Sequence, residues 1–204
     1  MSVSLPYSDT GTIWLRTRPI FDMTDDEFFE LCQVNRQLRL ERTAEGDLAI
    51  MPPAGGETGD KNAFVIAFLK IWSLQDNTGV AFDSATGFIL PNRAIRSPDA
   101  AWVKRERLTA LTPEQKKKFL PLCPDFVIEL RSPSDTLRAV QEKMQEYIDN
   151  GAQLGLLLDP QDRRVYVYRP NVAVVCLENP SSVSAEPELP GFTLELTHIW
   201  EGSF

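Results

Sequence analysis

The 204-residue sequence is poor in the residues that most often bind transition metals or drive nucleophilic chemistry. It has one histidine, His198, which excludes a site built from several imidazoles. Any Ser-His or Cys-His catalyst is thereby confined to that one position. Three cysteines, Cys32, Cys123 and Cys176, lie far apart with no CxxC pair, so neither a zinc finger nor a disulfide framework is expected. Cysteines used this way suit a reducing compartment, and a cytoplasmic location is the expectation. No apolar run approaches the ~20 residues needed to cross a bilayer. The opening segment, MSVSLPYSDTGTIWLRTRP, has neither the charged start nor the apolar stretch of a signal peptide. No membrane partner is expected.

Basic charge is also scarce, with 21 Lys and Arg against 29 Asp and Glu and a net charge of −8. That argues against a protein that coats nucleic acid by charge alone. The charge is unevenly spread, however. Residues 91–118 hold eight basic side chains against three acids. Such a stretch reads either as a solvated surface or as a local patch that faces phosphate.

What remains is an ordinary globular composition, 43% hydrophobic and 25% charged. The length fits one domain of the usual ~100–200 residues. A single domain over 1–204 is expected, its core at about 24–170, with strand extensions at both ends. Thr24 and Glu27 have capping-box spacing ahead of a short amphipathic helix carrying Phe28, Phe29, Leu31, Cys32 and Val34. Leu38–Glu41 and Leu48–Met51 read as strands around Glu45-Gly46-Asp47. A helix is expected over Asp60–Leu74, then strands near Val80–Phe82, Gly87–Leu90 and Ala100–Val103. Thr112-Pro113 opens a further helix, with Pro at its first position.

Phe126–Leu130 is an apolar strand with one acid inside it. The next helix runs from about Ser134 to Asn150 and ends at Gly151 as a left-handed cap. Gly155–Leu158 and Val165–Tyr168 form a hairpin, and strands near Val172–Leu177 and Phe192–Leu196 complete the chain. The order of elements predicts an α/β or α+β layer on one central sheet.

Acids on loops carry no signal, but acids within strands that read as buried do. A buried carboxylate is costly unless it is paired or bound to a cation. Glu129 lies inside Phe126–Leu130, Asp99 precedes Ala100–Val103, and Glu41 ends the strand that starts at Leu38. Each alone reads as a strand-end salt bridge; three together point further. The helix after Glu129 repeats Leu137, Val140, Met144, Tyr147 and Ile148 on one face, and Lys143 projects from that same face. Its ammonium either reaches along the stripe to solvent or is aimed at something anionic. Carboxylates of this kind suit Mg²⁺ or Mn²⁺, which take oxygen ligands. Together with a lysine they make a constellation for metal-dependent phosphodiester hydrolysis.

Pro98-Asp99 followed by Glu129 in a strand resembles the PD-(D/E)XK nuclease superfamily. More closely, the chain resembles the bacterial Uma-two family of restriction-endonuclease-like proteins. The matching stretches are RLERTAEGDLAIMPP, SPDAAWV, PDFVIELRSPSD, KMQEYIDNGAQLGLLLDP and VYVYRP, which span most of residues 38–170. The resemblance implies a restriction-endonuclease-like α/β core, a mixed central sheet flanked by helices. It makes Asp99 the central metal ligand, Glu129 the second acid and Glu41 an additional ligand or water-orienting acid. The superfamily's lysine two residues after the second acid is Arg131 here, so Lys143 on the following helix is the preferred replacement and Arg131 the reserve.

Arg131, Lys104 and Arg105 are the candidates for substrate phosphate. Two departures stand out: Ala139 where many relatives carry an acid, and Asn62 near a common histidine position. Asp125 reads as fixing the strand entry, His198 as structural, and Tyr147 as packing on the sheet.

The expected activity is Mg²⁺- or Mn²⁺-dependent cleavage of nucleic acid, DNA before RNA. Exposed strand edges and one-sided helices add a homodimer. Two other readings stay open. One is a catalytically silent nuclease-fold binding or assembly module, which the acidic composition favours. The other is a metal-dependent hydrolase of small phosphorylated molecules, which needs a closed pocket.

Overall fold

A computed structural model describes residues 11–202 of the chain. The first ten residues, part of the opening segment read for a signal, lie outside the described residues. Among those that are described, no helix is long and apolar enough to cross a membrane.

Two sheets organise the molecule. The first is a six-stranded sheet built from β4 (Gly79–Asp83), β7 (Ala100–Lys104), β8 (Phe126–Leu130), β9 (Leu154–Asp159), β10 (Arg164–Tyr168) and β11 (Val175–Glu178), in the order β11-β10-β9-β8-β7-β4. All its neighbours are antiparallel except β8 and β9, which run parallel. A parallel pair needs a crossover, and helix α4 (Leu137–Asp149) supplies it. The second is a five-stranded antiparallel sheet of β1 (Ile13–Leu15), β2 (Arg39–Arg42), β3 (Leu48–Met51), β5 (Phe88–Ile89) and β6 (Ile95–Arg96), in the order β1-β3-β2-β6-β5. A single sheet was expected; the strands around Glu45-Gly46-Asp47 instead belong to this separate layer.

Alternation along the central strands decides what each face meets. On β8, Phe126, Ile128 and Leu130 join a core with Val65 and Leu69 of helix α2 (Gly56–Asp76). That core is closed by the C-terminal β12 (Ser182–Ser184), β13 (Thr193–Glu195) and α5 (Thr197–Glu201). Val127, one residue out of phase, packs on the other face with Val140, Met144, Tyr147 and Ile148 of α4. Glu129 shares the phase of Val127, so it too faces α4.

Local chemistry explains where the helices start. The capping box forms as expected: Glu27 N–H donates to Thr24 Oγ1 and Thr24 N–H to Glu27 Oε2, at the head of α1 (Asp25–Val34). Helix α4 begins later than expected. Asp135 accepts from both the N–H and the hydroxyl of Ser132, at 2.9 and 2.6 Å, which spends residues 132–135 on a turn. Thr136 then caps the helix. Gly151 has φ +112°, the left-handed ending expected of it. Helix α2 runs longer than expected at both ends, from Gly56 to Asp76. Thr112-Pro113 opens only a short 3₁₀ turn at Gln115–Lys117, and the helix of that region is α3 (Arg105–Thr109).

Candidate active site

The chain passes from the second sheet to the central one through Ser97-Pro98-Asp99, between β6 and β7. That passage assembles the site. Ser97 N–H donates to Glu41 Oε1 at 3.0 Å, anchoring β2 beside the crossing point. Two residues on, Asp99 enters the central sheet. The β7–β8 ladder pairs Ala100 with Ile128, and one step further the same register sets Asp99 opposite Glu129. Side chains so opposed have Cβ atoms ~4.5–5.5 Å apart. Asp99 Oδ2 also accepts the Leu130 N–H at 2.9 Å.

Lys143 completes the cluster from α4. Its Nζ lies 2.9 Å from Glu129 Oε1 and 2.9 Å from Glu41 Oε1, bridging carboxylates that belong to different sheets. Arg96 stands behind Glu41, with Nη1 3.2 Å from Oε2 and Nε 2.6 Å from Glu146. Tyr147, one turn beyond Lys143, donates its hydroxyl to Glu129 Oε1 at 3.0 Å. Asn62 Nδ2 donates to Asp99 Oδ1 at 3.1 Å, and Arg39 lies 3.5 Å from the same oxygen. Asp99, Glu129 and Glu41 are 8%, 6% and 3% exposed, and all three line a cavity of about 1000 Å³.

Burial and neighbours set the charge states. Burial raises the Glu129 carboxyl; Lys143 opposes it and Asp99 and Glu41 add to it, leaving a pKa of about 7. Burial also raises Asp99, against the Leu130 N–H and Arg39. Glu41 is different: burial works to raise it, but Lys143 and Arg96 prevail and hold it at about 2. Burial would discharge Lys143, yet Glu129 and Glu41 more than offset that and keep its ammonium charged. Glu129 and Asp99 are therefore the carboxylates short of positive charge.

Those two fit a hard divalent cation. The donors around them are oxygens, and Asn62 Oδ1 next to Asp99 is buried with no hydrogen-bond partner. Among the described residues, no three carboxylate, His or Cys side chains form a ready cage. Mg²⁺ in particular binds through one or two carboxylates and keeps several waters. Glu41 stands apart from such a pair, since both its oxygens are held by Lys143, Ser97 and Arg96.

The structure brings Asp99, Glu129, Glu41 and Lys143 together and separates the rest. Arg131 turns away from the cavity to Asp159, Nη1 to Oδ2 2.9 Å, where Asp159 is fully buried. Lys104 and Arg105 lie at the far end of β7 from Asp99; the Lys104 N–H bonds Asp125 and the Arg105 guanidinium bonds Asn77. Asp125 secures the entry to β8 as expected, paired also with Arg107. His198 pairs with Asp60 and stacks on Phe64, away from the cluster.

Arg96, Arg39 and Glu146 are not among the site residues expected from sequence, Asn62 enters there only as a departure from the family's pattern, and Tyr147 only as packing. Tyr147 had a signal, since it lies four residues after Lys143 on the same stripe. Arg96 and Arg39 come from the second sheet, Glu146 of α4 enters by pairing with Arg96, and Asn62 meets Asp99 through the placement of α2; no local pattern gives these placements.

A family model described as "Putative restriction endonuclease", Uma2, matches residues 25–197. No curated protein matches the chain. Among solved structures, a protein of Anabaena variabilis described as a "putative nuclease belonging to DUF820" is similar, with a TM-score of 0.72 at 19% identity. The match covers 87% of this chain and 97% of that one, so the two share the mixed α/β fold.

Proposed function

The chain belongs to the Uma2 family, and from that membership we propose that it is a nuclease that hydrolyses phosphodiester bonds in DNA with Mg²⁺ or Mn²⁺. The observation that carries this reading is the apposition of buried Asp99 and Glu129 at the floor of an open cavity, with the Lys143 ammonium 2.9 Å from Glu129.

Asp99 and Glu129 would hold the metal, which when bound polarises a phosphoryl oxygen and lowers the pKa of water. Lys143 stays protonated and so stabilises charge that develops on the phosphate instead of taking a proton. Glu41 and Arg96 fix where that ammonium sits, and Tyr147 orients Glu129. Asn62 holds Asp99. Phosphate contacts from Lys104 and Arg105 play no part in this scheme, because both lie away from the cavity.

The test is cleavage of plasmid, single-stranded and branched DNA in Mg²⁺ and in Mn²⁺, with Glu129→Ala purified identically. Metal-dependent cutting by the native chain, lost in the variant, is the expected result. Equal cutting by both would remove the site.

A second reading, a silent binding module with this fold, is favoured by the excess of acids around the cavity and by the cations already matched to Glu41. It predicts no cleavage and no heat on titration with Mn²⁺. The exposed apolar residues Phe68, Ile71 and Leu74 on α2 support a homodimer, checked by light scattering.

A further inference from the structure

The rim of the cavity and the catalytic cluster point to different chemistries. Beyond the cluster's own Asp99, Glu129, Glu41 and Glu146, four more acids line the cavity, Glu45, Glu57, Asp135 and Glu142, and the basic side chains of its described lining are Arg39, Arg96 and Lys143. Each of the three is already ion-paired within the site. A groove that tracks a duplex does so by neutralising successive phosphates. This one has no free cation among the described residues of its lining to do that along its length.

It has a tryptophan instead. Trp14 sits in the middle of β1 and lines the cavity with 49% of its surface exposed. The register makes its position informative. Trp14 pairs with Ala49, and Ala49 pairs with Glu41, so the three form one row across the second sheet on a common face. Strands lie ~4.8 Å apart, which sets the backbone of Trp14 about 10 Å from that of Glu41. The residue between them is a buried alanine, so nothing bulky fills the gap. Met51, Pro52 and Pro53 continue the apolar surface on the same side of the cavity.

We propose that Trp14 is a base-stacking platform and that the cavity takes single-stranded DNA in preference to duplex. The proposal rests on the nuclease reading above for the identity of the ligand. Proteins that hold single strands without sequence preference stack successive bases on aromatic side chains, and every base offers a face for this. A base on Trp14 places its strand alongside Glu41 and Lys143, on the path to Glu129. A duplex offers its bases only along the groove edges, with both phosphate backbones brought against the acidic rim.

Fluorescence anisotropy with a fluorescein-labelled oligothymidylate, and with the same strand annealed to oligodeoxyadenylate, tests this in Ca²⁺. The native chain should bind the single strand about tenfold or more tighter than the duplex. Trp14→Ala should weaken single-strand binding about 5- to 150-fold, the range for losing one stacked base, and leave duplex binding unchanged. Trp14→Phe should restore most of the loss. Trp14 is exposed, so both variants should melt with the native chain, which circular dichroism checks.

Unchanged binding by Trp14→Ala, tighter binding of the duplex, or no binding of either form would overturn the proposal. Cleavage in Mn²⁺, run on the same samples, separates the two ideas. Trp14-dependent binding with no cleavage sinks the nuclease reading and leaves the platform. Cleavage lost in Glu129→Ala, with Trp14→Ala binding normally, does the reverse.

Discussion

Lys143 on α4 and Glu41 on β2 are 102 residues apart in the chain and 2.9 Å apart in the structure. Their ion pair ties the second sheet to the helix that crosses the central one. Both groups are largely buried, and the same ammonium also serves Glu129. It is therefore a structural joint as well as part of the site.

Removing one side of a buried ion pair costs more than removing both. Lys143→Met should destabilise the chain by about 3 kcal/mol, since Glu41 and Glu129 lose their shared cation. Adding Glu41→Gln should recover part of that loss. Urea denaturation of the two single variants and the double variant checks it; strictly additive losses would show that the pair is not coupled.

Stability without metal should depend on pH in two windows. The folded-state pKa of Glu129 is about 7, above its unfolded value near 4.5, so the folded chain binds that proton more tightly. Stability from this group therefore rises as pH falls from above 7 towards 4.5. Glu41 behaves oppositely, with a folded pKa of about 2. Its contribution is complete above 4.5 and is lost as pH falls through about 2. Thermal melts in EDTA should show a rise and then a fall on acidification, and Glu129→Gln should flatten the first.

Divalent metal should stabilise the native chain and not the Asp99→Asn or Glu129→Gln variants. A ligand that binds only the folded state at a hundred times its Kd adds about 2.7 kcal/mol. Differential scanning calorimetry with Mn²⁺ and then with excess chelator reads this directly. A melting temperature indifferent to Mn²⁺ would argue for the silent module.

Tyr147→Phe deletes one hydroxyl and keeps the ring. The lost bond to Glu129 should cost about 1 kcal/mol of stability. It also removes a donor that favours the charged carboxylate, so Mn²⁺ binding should weaken at pH 7. Calorimetric titration at two pH values measures this, and the gap from the native chain should narrow at higher pH.

Arg131→Ala distinguishes the two candidates for the superfamily lysine. Its partner Asp159 is fully buried, so about 3 kcal/mol of stability should be lost. Metal binding by the folded variant should be unchanged. Cleavage in Mn²⁺ lost in folded Arg131→Ala and retained in folded Lys143→Met would reverse the assignment.

The sequence by itself determined the parts of the site whose signal is local. An acid within Phe126–Leu130, an acid at the mouth of Ala100–Val103 and a lysine on the apolar stripe of α4 each break a short-range pattern. Such breaks are legible because strand and helix periods fix which face a residue takes. The capping box at Thr24 and the left-handed Gly151 were legible from residue type and spacing at the helix ends. Helix lengths were less so: the Ser132–Asp135 turn delayed α4 through side-chain bonds that periodicity does not encode.

Tertiary structure alone decided which of the charged residues meet. Arg131 shares a strand phase with Glu129, yet leaves the strand and is captured by Asp159 from β9. Lys104 and Arg105 belong to the most basic stretch but lie at the end of β7 away from Asp99. Arg96 reaches Glu41, and Trp14 the cavity wall, only because the second sheet pairs β2 with β6 and β1 with β3, strands that are not consecutive in sequence. Local periodicity sets the face of each residue, but the pairing of distant strands sets its neighbours.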